Sequence, residues 1–199
     1  MKTIYLMRHG QTLFNVMAVN QGQCDSPLTE LGIQQAKNAG AWFQNHGITF
    51  DTVYCSTAER ACDTAELVSG GIPCQRLKGL KEIFLGTKEA SSYSENPSYP
   101  YGDFFVQYGG ESLEEVTKRV YGTMKDIAEA DNGDTILVVS HGMAIKRFLE
   151  AISYIKGEHK GILGNCGIVR LHYEDGNFTV EQVVNPNSKE CSGYLTGNF

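Results

Sequence analysis

The sequence contains no apolar run that approaches the roughly 20 residues a helix needs to cross a bilayer. Met1 and Lys2 lead directly into a short strand-like run, where a secretory signal would place a longer apolar core. These absences predict a cytoplasmic protein that has no membrane partner.

Positive charge is also scarce. Lys and Arg total 17 against 23 Asp and Glu, which gives a formal net charge of −6. This balance excludes bulk electrostatic binding of nucleic acid, although it is compatible with one local cationic pocket. The six cysteines form no CxxC pair, so we expect reduced thiols rather than disulfides or a zinc site.

The composition does supply one hydrophobic core. With 199 residues, 41% of them hydrophobic and 20% charged, the chain is predicted to form a single globular domain over 1–199. Strand-like and helix-like runs alternate, which predicts a three-layer α/β/α fold with a mainly parallel central sheet and an antiparallel edge. The predicted strands are 3–7, 52–56, 74–77 and 135–140, with helices from Thr29 to near Gly47, over about 58–69, from Ser112 to Asn132, and over about 143–153; an edge hairpin joins 167–173 to 178–184.

Three segments lack the sustained spacing of apolar residues that predicts a helix or a strand. The sequence predicts an irregular loop at 11–27, a lid at about 87–110 and a poorly ordered polar tail at about 185–199. If the lid aromatics face a cleft, they indicate a substrate with an aryl or sugar-linked part. They could equally fill a small core of their own; they are Tyr93, Tyr99, Tyr101, Phe104, Phe105 and Tyr108.

Polar side chains follow the predicted parallel strands. Arg8 and His9 follow the first, Arg60 the second, Glu82 the third and His141 the fourth. Because parallel strands place their carboxyl ends at one edge of the sheet, we expect these groups to converge. Each also has an ordinary structural explanation: Arg60 and Glu82 could form a surface ion pair, and His141 could be a hydrogen-bonded core histidine.

If the groups converge, their chemistry suits a phosphoryl group. Guanidinium forks match phosphate oxygens, and a neutral His9 could attack phosphorus to give a phosphohistidine. Arg8, Arg60 and His141 would stabilise the equatorial oxygens, and Glu82 would donate and later accept the proton. Further hydrogen bonds to the substrate are expected from Asn15, Gln21 and the backbone near Gly10, Gly22 and Gly142.

The order of the motifs makes this interpretation specific. The chain resembles the histidine phosphatase superfamily, also described as the phosphoglycerate mutase-like family, from Lys2 to about Leu171. The resemblance rests on Arg8-His9-Gly10-Gln11-Thr12 with Asn15, Asp25-Ser26-Pro27-Leu28-Thr29 with Gly32 and Gln35-Ala36, Ser56 with Ala58-Glu59-Arg60-Ala61 and Thr64-Ala65, Leu80 with Glu82, and Ser140-His141-Gly142.

This resemblance implies that His9 is phosphorylated, that Arg8, Arg60 and His141 hold the phosphate, and that Glu82 transfers the proton. It also implies no metal and no organic cofactor in a phosphatase, whereas a mutase would need a bisphosphoglycerate primer. Thr57 and the stretch 87–89 depart from the common family pattern, which bears on substrate choice.

Three functions therefore remain in view. A metal-independent phosphomonoesterase acting on a small phosphorylated metabolite is the first, because the chain is shorter than typical cofactor-dependent mutases. The second is a phosphoglycerate mutase, and the third is a non-catalytic module that binds a phospho-ligand. The expected partner is a small-molecule phosphate ester, and the edge hairpin could support a homodimer.

Overall fold

The computed structural model describes residues 1–154 and 163–188, which form a six-stranded sheet with helices on both faces. The strand order is β3-β2-β4-β1-β5-β6. The strands are β1 (Lys2–Arg8), β2 (Thr52–Ser56), β3 (Cys74–Leu77), β4 (Thr135–Ser140), β5 (Ile168–Glu174) and β6 (Asn177–Val184).

The strands β1 to β4 are parallel, and the hairpin of β5 and β6 adds an antiparallel edge. β4 lies between β1 and β2, and five of its six residues are buried. This position explains its continuous apolar sequence, since a central parallel strand is covered on both faces. The predicted mixed sheet is confirmed. Its hairpin turns at Asp175 and Gly176, which both have positive φ (51° and 79°).

Five α-helices lie in the described ranges. Thr29 caps α2 by accepting from the Gly32 amide, and Ser112 with Glu115 forms the predicted capping box of α4. The helices are α1 (Leu13–Met17), α2 (Glu30–Asn45), α3 (Glu59–Ser69), α4 (Leu113–Ala130) and α5 (Gly142–Ala151). None of these helices combines the length and the apolar content that a membrane span requires.

Two separate hydrophobic clusters cover the two faces of the sheet, which confirms the three layers. On one face α4 and α5 contribute Val116, Val120, Met124, Ile145 and Phe148. On the other face α2 and α3 contribute Ala36, Ala39, Phe43, Ala61 and Ala65. Both faces of the sheet are therefore occupied, and the edge where the parallel strands end is left for a site.

The prediction of an irregular loop at 11–27 is wrong in one respect, because this segment contains the short helix α1. Thr12 caps this helix, and its backbone amide donates to the Asn15 side chain at 3.1 Å. A local capping box thus overrides the loop-like composition. At the other end of the chain, α5 stops two residues before the predicted Ser153, whose φ of 59° is incompatible with a continuing helix.

The segment predicted as a lid, 87–110, is built from short 3₁₀ turns rather than longer helices. Three turns run over Gly86–Lys88, Tyr93–Glu95 and Phe104–Tyr108. Phe105 is buried in the core on the α4 and α5 side, and Tyr101 and Phe104 pack against that core. Of the polar tail predicted at 185–199, residues 189–199 lie outside the described residues.

Candidate active site

The carboxyl ends of the parallel strands open into a cavity of about 260 Å³. Arg8 and His9 line it from the end of β1, and Arg60 from the first turn of α3. Glu82 reaches it from the loop after β3, and Gly142 from the start of α5. Four of the five groups expected to converge therefore line the cavity, whereas His141 is fully buried and packs beside His9 at 5.2 Å between ring centroids.

His9 is placed by an unusually close backbone approach. A side chain at Gly10 would come within 2.6 Å of the Gly32 carbonyl oxygen, so only glycine lets the turn after β1 lie against α2. The His9 Nδ1 atom lies 2.7 Å from the Gly10 carbonyl oxygen. Since a carbonyl only accepts, Nδ1 carries the proton and Nε2 keeps its lone pair.

The same environment keeps His9 uncharged. Burial, together with the positive charges of Arg60 and Arg8, holds the pKa of His9 well below its usual range. The ring is only 4% exposed. At neutral pH His9 is accordingly a neutral imidazole with a free nitrogen, which is the form a nucleophile requires.

The two arginines are fixed by backbone carbonyls. Arg8 Nη1 donates to the Leu163 carbonyl at 2.8 Å, and burial lowers the pKa of Arg8. Arg60, 1% exposed, donates through Nη1 to the Cys24 carbonyl and to Asp25, and through Nη2 to the Gly22 carbonyl. The alternative of a surface ion pair between Arg60 and Glu82 is wrong, because Arg60 is buried and pairs with Asp25.

Several buried nitrogen atoms beside this cavity have no partner among the described residues. They are the Nε atoms of Arg8 and Arg60 and both ring nitrogens of His141. A satisfied core histidine is thereby excluded for His141. A buried polar atom without a partner costs about 1–3 kcal/mol, and three of these atoms can donate in a neutral site: the two Nε–H groups and one N–H of His141. This favours a ligand that carries acceptor oxygens. We call Arg8, His9, Arg60 and His141 the phosphate pocket.

His141 is also held neutral. Its pKa is well below the usual range because the ring is buried and because Arg60, His9 and Arg8 lie nearby. A neutral imidazole carries one N–H, and neither ring nitrogen is committed to a protein acceptor among the described residues. His141 therefore keeps an N–H that no protein acceptor among the described residues occupies.

Glu82 is clamped at the start of α5. One carboxylate oxygen accepts from the Ile83 and Ala144 amides, both at 2.9 Å, and the other accepts from the Met143 amide at 3.0 Å. Glu82 is thus fixed at the cavity wall, on the same helix terminus that follows His141.

Arg119, on α4, secures the main chain that carries Glu82. Its guanidinium makes a two-pronged ion pair with Glu111 at 2.9 and 2.8 Å. The same group donates to the carbonyls of Gly79, Lys81 and Glu82 at 3.0, 2.9 and 3.3 Å. This role leaves no signal in the sequence, because Arg119 acts on backbone carbonyls of a distant loop.

The predicted substrate-binding residues divide into two groups. Asn15, Gln21, Gly22 and Gly142 line the cavity, although the Asn15 and Gln21 side chains also bond to their own loop. Gly10 is not brought to the cavity, because its amide donates to Thr64 Oγ1 at 3.0 Å.

The part of the cavity away from the phosphate pocket is lined by the lid, which was predicted as a possible cleft wall, and by α5, which was not. Four lid aromatics line it, Tyr93, Tyr99, Tyr101 and Phe105, whereas Phe104 and Tyr108 pack on each other with centroids 5.3 Å apart. Opposing these lid residues in the same lining, α5 contributes charged side chains that the sequence analysis did not single out. We call the following five residues the helix-lid wall: Tyr99, Tyr101, Lys146, Arg147 and Glu150.

Metal ligands are not gathered anywhere in residues 1–154 and 163–188: no group of three or more His, Cys, Asp or Glu side chains there is arranged to hold an ion. The cations facing the cavity are side chains instead. Arg8, Arg60, Lys146 and Arg147 provide four of them, against two carboxylates from Glu82 and Glu150.

Comparison with known proteins agrees with this geometry. A broad-specificity phosphatase of Saccharomyces cerevisiae is 30% identical over 195 residues, covering 92% of this chain and 85% of its own. A Salmonella paratyphi A protein named probable phosphoglycerate mutase GpmB is 31% identical over 192 residues, covering 89% and 88%. The structure of an Entamoeba histolytica phosphoserine phosphatase in complex with 3-phosphoglyceric acid matches with a TM-score of 0.78 at 30% identity, covering 92% and 96%. Since the profile of the histidine phosphatase superfamily (branch 1) also matches residues 4–186, the chain belongs to that superfamily.

Proposed function

We propose that this protein hydrolyses small phosphate monoesters through a phosphohistidine formed on His9. The observation that carries the proposal is the set of buried, unpartnered nitrogens on Arg8, Arg60 and His141 around a neutral His9. A phosphoryl group supplies acceptor oxygens for the guanidinium N–H groups and for the single N–H of a neutral His141.

In the first step the phosphate pocket holds the phosphoryl oxygens while His9 Nε2 attacks phosphorus. The Nε2–P bond forms, the bond from phosphorus to the ester oxygen breaks, and the departing oxygen takes a proton from Glu82. The arginines and His141 stabilise the charge on the equatorial oxygens, and Nδ1–H remains bonded to the Gly10 carbonyl.

In the second step water replaces the alcohol. Glu82, now a carboxylate, accepts a proton from the water as its oxygen attacks phosphorus, and the Nε2–P bond breaks. His9 returns to its neutral form and inorganic phosphate leaves. The three backbone amides on Glu82 keep its carboxyl group in one place through both steps.

The proposed reaction uses no metal and no organic cofactor, because side-chain cations surround the phosphoryl group. The expected result is full activity in the presence of a chelator. Loss of turnover on chelation that is restored by a divalent ion would contradict this part of the proposal.

A phosphoglycerate mutase is the second candidate, favoured by the similarity to the Salmonella protein. In that case a bisphosphoglycerate would prime the enzyme by phosphorylating His9, and each turnover would regenerate the phosphohistidine. The two candidates separate when phosphate release and 2-phosphoglycerate formation are measured together on 3-phosphoglycerate. We favour the phosphatase if phosphate release is faster.

The decisive experiment is to trap the intermediate. Rapid acid-free quenching with a ³²P-labelled monoester should give an acid-labile, alkali-stable label on the wild-type chain and none on His9→Ala. A panel of monoesters then ranks substrates by phosphate release. A non-catalytic binding module would bind phosphate but show neither label nor turnover.

We also place this activity in the cytoplasm, on one or more small phosphorylated metabolites. The support for the compartment is that the five cysteines in the described ranges are all free thiols. The support for the substrate size is the 260 Å³ cavity and the three-carbon phosphate ester, 3-phosphoglyceric acid, bound by the Entamoeba protein.

A further inference from the structure

The cavity contains a second charged cluster that the proposed phosphate chemistry does not use. Lys146, Arg147 and Glu150 of α5 all line it. Arg147 comes five residues after Gly142, which places it about 7.5 Å further along the helix axis. A phosphoryl group seated against His9 is held by other residues, so this cluster meets the remainder of the substrate.

Arg147 is held so that part of its guanidinium remains available. Its Nε donates to Thr117 Oγ1 at 2.9 Å, and its Nη1 pairs with Glu150. No hydrogen bond of the described residues uses Nη2. Thr117 and Glu150 therefore fix the plane of the guanidinium, and a residue that lines the cavity keeps one donor edge for a ligand.

The cluster also carries more positive than negative charge. Lys146 is 8% exposed, lies 4.5 Å over the Tyr99 ring and is 3.9 Å from Glu150. Burial lowers the pKa of Lys146, and Arg147 adds to this lowering while Glu150 opposes it. Among the described residues, Lys146 and Arg147 both pair with Glu150.

We propose that Arg147 binds a second anionic group of the substrate, a carboxylate or a second phosphate, so that the preferred substrates are short phosphate monoesters that carry another negative charge. This inference rests on the proposed phosphatase function and adds its substrate class. The lysine and the aromatic side of the helix-lid wall complete a partly desolvated site in which a charge-assisted hydrogen bond is strengthened.

The test compares pairs of substrates that differ in one anionic group. The first pair is 3-phosphoglycerate and glycerol 3-phosphate, and the second is O-phosphoserine and O-phosphoethanolamine. The second pair cannot be confused with mutase turnover. For the wild-type enzyme we expect kcat/KM to be about 10- to 100-fold higher for the member with the carboxylate, the range that one hydrogen bond to a charged group supplies.

The variant Arg147→Gln should remove this preference and leave kcat/KM for glycerol 3-phosphate and O-phosphoethanolamine within threefold of wild type. Arg147→Lys should retain part of it. Arg76→Gln is the matched control, since Arg76 is half-exposed, pairs with Glu59 and does not line the cavity. Thermal unfolding of each variant shows whether loss of the Thr117 and Glu150 contacts has disturbed the fold.

Two failures are distinguishable. If the wild type hydrolyses both members of each pair equally, or if Arg147→Gln lowers both equally in a stable protein, the second anionic site is wrong while the phosphatase function stands. If no monoester gives a phosphohistidine label, or if turnover of every monoester persists in His9→Ala, the proposed function itself is wrong.

Discussion

The phosphate pocket and the helix-lid wall meet at one cavity but are built in different ways. The residues of the phosphate pocket follow strands within a few positions: His9 directly follows β1, and His141 directly follows β4. The helix-lid wall takes its charges from the second turn of α5 and its aromatic rings from a long segment of 3₁₀ turns.

This difference also appears in how the polar groups are satisfied. In the phosphate pocket, buried nitrogens of Arg8, Arg60 and His141 have no hydrogen-bond partner among the described residues. In the helix-lid wall, Arg147 and Lys146 already share Glu150. In the proposed reaction the phosphate pocket binds one phosphoryl group, and the helix-lid wall selects among the esters that carry it.

The largest expected effect comes from removing the nucleophile. His9→Ala should abolish turnover and the phosphohistidine, because His141, the other neutral imidazole of the phosphate pocket, is fully buried and does not line the cavity. Binding of inorganic phosphate, measured by calorimetry, should persist through Arg8, Arg60 and His141. Residual turnover above about 0.1% of wild type would assign the chemistry to another group.

Arg60→Lys tests whether the geometry of the phosphate pocket matters beyond its charge. A lysine keeps the charge but cannot reproduce the fork that bonds to Cys24, Gly22 and Asp25. We expect kcat/KM to fall about 100- to 1000-fold, the range typical of losing one preorganised electrostatic contact. Arg76→Lys, at a half-exposed site, is the control. A loss below threefold would show that charge alone suffices.

The positions of Arg8 and His9 could be predicted from the sequence because they depend on short-range features of the chain. A polar residue at the end of a buried parallel strand, as in Arg8 and His9, must lie at the carboxyl edge whatever the details of packing. The strand β2 and the hairpin turn at Asp175 and Gly176 were predicted for the same reason, since their periods and turn residues are short-range features. The family resemblance is confirmed by the match over residues 4–186.

The helix-lid wall and the brace on Glu82 could not be predicted in this way. Lys146 and Arg147 lie in a helix that also buries Ile145, Phe148 and Leu149, and its sequence pattern does not show that the two charged side chains line a cavity. Arg119 acts on three backbone carbonyls of a loop 37 to 40 residues earlier in the chain. Contacts of that kind depend on tertiary packing and leave no periodic pattern.

Substitution of Arg119 tests whether this residue supports proton donation by Glu82 or only the stability of the fold. If it positions Glu82, Arg119→Gln should lower kcat/KM about 10- to 100-fold for alkyl phosphates, whose leaving oxygen needs a proton. For dinitrophenyl phosphate, whose leaving group needs none, the loss should stay within threefold. Lys118→Gln, at an exposed neighbour, is the control. An equal loss on both substrates would make Arg119 merely structural.

The neutral histidines of the phosphate pocket predict a dependence of stability on pH. Below pH 6.5 the unfolded chain binds protons at His9 and His141 that the native pocket refuses, because burial holds both pKa values low. The free energy of unfolding should therefore fall with falling pH, by up to about 1.4 kcal/mol per pH unit for each histidine.

Urea unfolding between pH 5 and 7 measures this slope. His141→Asn should reduce the slope by about half of the histidine contribution, whereas His46→Asn, at an exposed site, should leave it unchanged. An unchanged slope in His141→Asn would mean that the pocket accepts a proton in the native state.

The smallest expected effect lies in the lid, and it decides whether the aromatic rings recognise substrate or only fill space. Tyr101 lines the cavity, while Tyr108 packs on Phe104 and beneath Lys88. Tyr101→Ala should raise KM for phenyl phosphate about threefold, from loss of one aromatic contact, with kcat and the KM for glycerol 3-phosphate unchanged. Tyr108→Ala should change neither KM. If the two variants behave alike on both substrates, the lid aromatics form a small core, and discrimination among phosphate esters falls to the charged residues of α5.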